Sequence, residues 1–85
     1  LNDKFVINQS RAAAQRLLSD GELAGKEEHI TGAYLLALGR IPSGAELTEA
    51  RSYIESATGN GQSEVEALGG MIQALFASAE FRYAL

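Results

Sequence analysis

The sequence predicts an all-α fold, a compact four-helix bundle, orthogonal or antiparallel, with short loops. Three observations carry this reading. Apolar residues recur at helical spacing in four separate stretches. Two Ser-x-x-Glu sequences, Ser43 with Glu46 and Ser63 with Glu66, have the spacing of capping boxes at helix starts. Between the second and third stretches lies Leu38-Gly39-Arg40-Ile41-Pro42, which reads as a helix end and a fixed corner.

The first helix is expected from about Lys4 to Ser19. Asn2 or Asp3 is placed to cap it, and Leu1 to staple onto Val6 if Asn2 is the cap. Phe5, Val6, Ala13, Ala14, Leu17 and Leu18 form its apolar side. Asp20-Gly21 ends it, and Gly25 closes a short linker.

The second helix is expected over Lys26 to Leu38. Ile30, Ala33, Tyr34, Ala37 and Leu38 fall on one face. Leu35 and Leu36 lie off that stripe, so the helix is apolar over much of its surface and reads as the central one. Gly39 sits where a left-handed residue is wanted, and Pro42 cannot continue the helix.

The third helix is expected over Gly44 to Ala57, with Leu47, Ala50, Tyr53, Ile54 and Ala57 facing inward. Thr58-Gly59-Asn60-Gly61-Gln62 reads by composition as a loop and as the most flexible stretch. The fourth helix follows the Ser63 cap, with a stripe of Val65, Leu68, Ile72, Leu75, Phe76 and Ala79. Gly69-Gly70 in its interior costs ~1 kcal/mol per glycine relative to alanine, which implies close helix approach or a kink. Ser78 is placed to cap a last short turn that returns Phe81 to the core. The connections are short, so neighbouring helices are expected to pack roughly antiparallel.

Composition bounds the rest. The 85 residues make one domain, which can bury only ~60% of its unfolded surface. The net charge is −4, and the seven Lys and Arg residues are scattered, which argues against nucleic-acid binding. No apolar run is long enough to span a membrane, and no signal peptide is visible. With no cysteine, disulfides, thiolate metal sites and cysteine nucleophiles are all excluded. The chain begins with Leu1 and its one methionine is Met71, so it is expected to be an excised piece of a longer polypeptide.

Few residues invite a chemical reading. His29 is the sole histidine and has no partner at ligand spacing, so it reads as a boundary or surface residue. Glu27 and Glu28 point about 100° apart and suit the positive end of a helix better than acid–base work. Gly59-Asn60-Gly61 has Glu64 where a dinucleotide loop needs its third glycine, and no strand precedes it. Asn8-Gln9-Ser10 matches the glycosylation acceptor pattern, but inside an expected helix. Arg40 is placed to bind a carboxylate from Glu46 or Glu80 and so hold the corner. Tyr34, Tyr53, Phe76 and Phe81 fall on apolar stripes, and core packing is the ordinary use of each.

Three blocks in order carry a family likeness. They are Leu1-Asn2-Asp3-x-Phe5-Val6 with Gln9-Ser10 and Ala14-x-Arg16-Leu17-Leu18; then Ala33-Tyr34-x-x-Ala37-Leu38-Gly39-Arg40-x-Pro42 with Glu46-Leu47; then Gln73 through Tyr83, containing Ser78, Glu80 and Phe81. Together they resemble the C-terminal domain of the DUF1553 proteins, the planctomycete PSD1 family, over nearly the whole chain. The corner and the Ser-x-Glu-Phe ending also resemble DUF4214 and phycobilisome-linker-type helical modules; the first block tips the choice. Gly69-Gly70-Met71 departs from the family, where a stretch containing Trp and Leu is expected.

The resemblance implies a long, usually secreted bacterial protein, periplasmic or extracellular, often with a cytochrome-c-like domain and a DUF1549 domain upstream. It supplies no catalytic residue, metal ligand or cofactor for this domain, and a haem attachment motif would lie outside the chain. The expected role is a non-catalytic accessory domain that packs on the upstream domains or on a protein partner. Leu35, Leu36 and Ile41 exceed what a four-helix core needs and mark the expected interface. The alternative is a carbohydrate- or surface-polymer-binding module, which needs exposed aromatics; Tyr53 and Tyr83 are the candidates.

Overall fold

The computed structural model describes residues 4–84, with side chains through residue 79. Four helices follow one another: α1 (Lys4–Ser19), α2 (Lys26–Leu38), α3 (Gly44–Gly59) and α4 (Glu64–Ala84). No strand occurs among the described residues. The caps expected at Asn2 or Asp3 and the staple from Leu1 lie outside the described residues, as do the side chains of Glu80, Phe81 and Tyr83.

Each boundary has a local cause. After α1, the Asp20 carboxylate accepts a hydrogen bond from the Glu22 amide at 3.0 Å, and Leu23 N–H donates to the Asp20 carbonyl at 3.0 Å. This turn brings Gly25 to the start of α2, where its amide donates to Glu28 Oε1 at 3.0 Å. Glu28 thus supplies the carboxylate half of a capping box whose hydroxyl half a glycine cannot give. At the far end of α2, Gly39 adopts φ 70°, ψ 20° and its amide reaches the Leu35 carbonyl at 3.0 Å. This single bond from a left-handed residue is the αL way of ending a helix.

Helix α3 runs to Gly59, two residues beyond the expected Ala57. The Thr58-to-Gln62 stretch is an organised helix end rather than a loop. Gly61 has φ 100°, its amide donates to the Thr58 carbonyl at 3.1 Å, and Gln62 N–H donates to the Ala57 carbonyl at 3.0 Å. This pair of bonds is a Schellman motif, available because glycine enters positive φ without a Cβ penalty. Thr58 Oγ1 donates back to the Ile54 carbonyl at 2.9 Å and keeps the last turn wound. Ser63 and Glu66 then form the expected box, at 2.9 and 3.1 Å.

The core corrects three expectations. Helix α4 is the centre of the bundle: it packs on all three other helices, most extensively on α1. Helix α2 read as central because Leu35 and Leu36 were apolar, but they face out. The buried face of α4 is also wider than its stripe, taking in Ala67 and Met71 beside Leu68 and Ile72. Lastly, α4 passes through Ser78 without a break, so Ser78 is an exposed helix-interior residue and caps nothing.

The α1–α4 seam is built from small residues. Ser10, Ala13 and Ala14 are the buried residues of α1, whereas Phe5 is exposed. A Cβ added at Gly69 would meet the Arg11 Cα at 3.6 Å, so the α1 backbone comes close there, as the glycine pair implied. Ser10, the hydroxyl residue of Asn8-Gln9-Ser10, is buried in the seam, while Asn8 is exposed on the helical α1. Leu17 of α1 rests on Gly32 of α2, where a Cβ would lie 2.8 Å from its Cδ2.

Candidate interaction surface

The corner between α2 and α3 is assembled by one carboxylate. Glu46 Oε1 accepts the Ser43 amide at 2.9 Å, and Ser43 Oγ accepts the Glu46 amide at 3.1 Å. The same carboxylate receives both ends of the Arg40 guanidinium, Nη1 to Oε1 at 2.7 Å and Nη2 to Oε2 at 2.9 Å. Arg40 Nη1 also donates to the Ile41 carbonyl at 3.2 Å. Of the two carboxylates expected for Arg40, Glu46 is the one found; the side chain of Glu80 lies outside the described residues.

These bonds explain the electrostatics. The Glu46 carboxyl is held down at about 2, first by the Arg40 hydrogen bonds and then by the Ser43 amide. Arg40 is pushed up by the same pairing. Its guanidinium lies 5.7 Å from the centroid of the buried Tyr34 ring. Burial raises the Tyr34 phenol, with Glu46 adding to the effect and Arg40 opposing it. The forked pair, the cap and the ring make the corner a locked element.

Around this lock the apolar residues face solvent. Leu35 is 50% exposed, Leu36 49% and Ile41 65%. All three belong to the end of α2 or to the corner. Among the described residues, Phe5, Ile7 and Tyr53 are the other large hydrophobics left exposed, and they come from α1 and α3, although Phe5 and Tyr53 were expected on inward faces.

The remaining sequence candidates have separate, structural uses. His29 Nε2 lies 3.0 Å from the Leu23 carbonyl and ties the α1–α2 linker to α2. It lines a half-open groove of about 230 Å³ with Lys26, Thr58 and Glu64. Glu27 approaches Arg51 at 3.5 Å while Glu28 caps its own helix, so the adjacent carboxylates act apart. Lys26 meets Glu55 at 3.6 Å, a second exposed tie between α2 and α3. Among the described residues no cluster of three or more His, Cys, Asp or Glu side chains is placed to hold a metal, and no helix is long and apolar enough to cross a membrane.

Sequence reasoning missed a second groove, of about 290 Å³, where Arg11, Tyr53, Gln62, Glu66 and Gln73 converge. They come from α1, α3, the α3–α4 connection and α4, so no spacing announces them. The one available signal was Gly70, a helix-interior glycine with the Tyr53 hydroxyl lying over it. No family model, curated protein or solved structure matches this chain, so its own geometry is what bears on function.

Proposed function

We propose that this chain is a non-catalytic helical accessory domain that packs on the rest of a large secreted bacterial protein, of the kind the DUF1553 resemblance implies. The observation that carries the proposal is the exposure of Leu35, Leu36 and Ile41 around a corner locked by Arg40 and Glu46. A rigid corner presents Ile41 at little entropic cost, and large apolar residues left in solvent at the end of α2 and at the corner are the kind of surface an interface covers.

A calorimetric titration with the separately expressed upstream region of the parent polypeptide tests this. Saturable binding is expected, weakened about tenfold or more when Leu36→Ser and Ile41→Ser are combined. Absence of binding to a folded monomer, or equal binding by the variant, overturns it.

A second reading, a carbohydrate- or surface-polymer-binding module, is supported by a different face. Tyr53 is 45% exposed and lines a groove that Arg11, Gln62, Glu66 and Gln73 share with the apolar Ile7 and Val65.

A further inference from the structure

We infer that the groove between α1, α3 and the first half of α4 is a binding site for a neutral glycan, an inference that rests on the second reading above. At about 290 Å³ the groove has room for a sugar ring with its hydroxyls at the surface.

Its lining has the chemistry a polyhydroxylated ligand requires. Tyr53 offers an aromatic ring that is half exposed, an apolar body against which the C–H face of a sugar can lie. Arg11 supplies only donors, Glu66 only acceptors, and Gln62 and Gln73 carry both. Adjacent sugar hydroxyls both donate and accept, so planar side chains of this mixture match them. The Arg11 and Glu66 charges balance, which favours a neutral ligand over an anion or cation. Glu66 is also fixed in place, since its Oε1 accepts the Ser63 amide at 2.9 Å.

The shape of the groove depends on Gly70. A Cβ there would lie 2.6 Å from Tyr53 Oη, so a side chain at this position displaces the ring. Glycine inside a helix costs ~1 kcal/mol relative to alanine. What that cost secures here is the seat of Tyr53 across α4.

The test is a set of amide 1H–15N titrations of the chain with cellohexaose, xylohexaose and chitohexaose at millimolar concentration. With at least one of them, shifts confined to the surroundings of Arg11, Tyr53, Gln62, Glu66 and Gly70 are expected. Tyr53→Ala is expected to weaken binding about tenfold or more, and Tyr53→Phe to retain it. Arg11→Ala, a change at an exposed residue, reads the site if Tyr53→Ala fails to fold, and is expected to weaken binding as well. Binding that perturbs another face, or that survives both alanine variants, overturns this site but leaves the carbohydrate reading standing. No perturbation by any of the three glycans overturns both.

Discussion

The two connections that flank α3 use the same vocabulary and differ in how far it reaches. Each has a left-handed glycine past a helix end, Gly39 at φ 70° and Gly61 at φ 100°. Each continues into a Ser-x-x-Glu box, with hydrogen bonds of 2.9 and 3.1 Å in both cases. At the α3–α4 connection a single residue, Gln62, separates the glycine from the serine, and the box completes the turn by itself. At the α2–α3 corner Arg40, Ile41 and Pro42 are inserted. Arg40 folds back onto the box carboxylate and Ile41 is left in solvent. The spacer therefore does two things at once: it adds a charge-assisted lock, and it displays an apolar side chain. A capping box specifies where a helix starts; the residues just before it decide whether that start also becomes a surface feature.

The largest way to break this likeness is at the glycines. Gly39→Val is expected to destabilise the chain by more than ~1 kcal/mol, because a β-branched residue is strained at positive φ. No atom lies within 4 Å of the added Cβ, so the cost is backbone strain and not collision. An unchanged thermal midpoint would show that the left-handed end of α2 is not needed.

A smaller effect is expected at the caps. Ser43→Ala and Ser63→Ala should each cost about 1 kcal/mol, as losses of a hydroxyl N-cap do. Arg40→Ala should also lower stability in wild-type protein. Arg40 and Ser43 share the Glu46 carboxylate, so denaturant titration of Ser43→Ala with Arg40→Ala should depart from additivity. Ser63→Ala with Arg40→Ala should add.

The smallest effect separates the two carboxylates by pH. Glu46 is lowered from 4.5 to about 2 in the folded chain, so its contribution is complete above about pH 4.5 and is lost as pH falls toward about 2. Glu66 is lowered too, by the Ser63 backbone and hydroxyl and more weakly by Arg11. Melting curves across this window should show that Glu46→Gln removes more of the acid dependence than Glu66→Gln. Equal effects would mean that Arg40 adds nothing to the cap, since it is the partner Glu66 lacks.

Much of this architecture was legible locally. The bounds of α1 and α2, the αL end at Gly39 and both capping boxes follow from residues within a few positions of one another. So does the outward position of Leu35 and Leu36, which is a matter of helical angle. The sequence reading failed where composition was asked to stand for conformation. Thr58 to Gln62 is rich in small and polar residues, yet its backbone amides find carbonyls in the preceding turn and make a defined helix end.

What the sequence by itself determined is the set of helices, most of their ends and the corner chemistry, because these are short-range hydrogen bonds between near neighbours. Tertiary packing decided which helix is central: α4 packs on all three others, and at Gly69 the α1 backbone comes close to it. It also decided that Arg11, Tyr53, Gln62 and Glu66 line one groove. Those pairings join separate elements, and no periodicity along a chain encodes a distance between two helices.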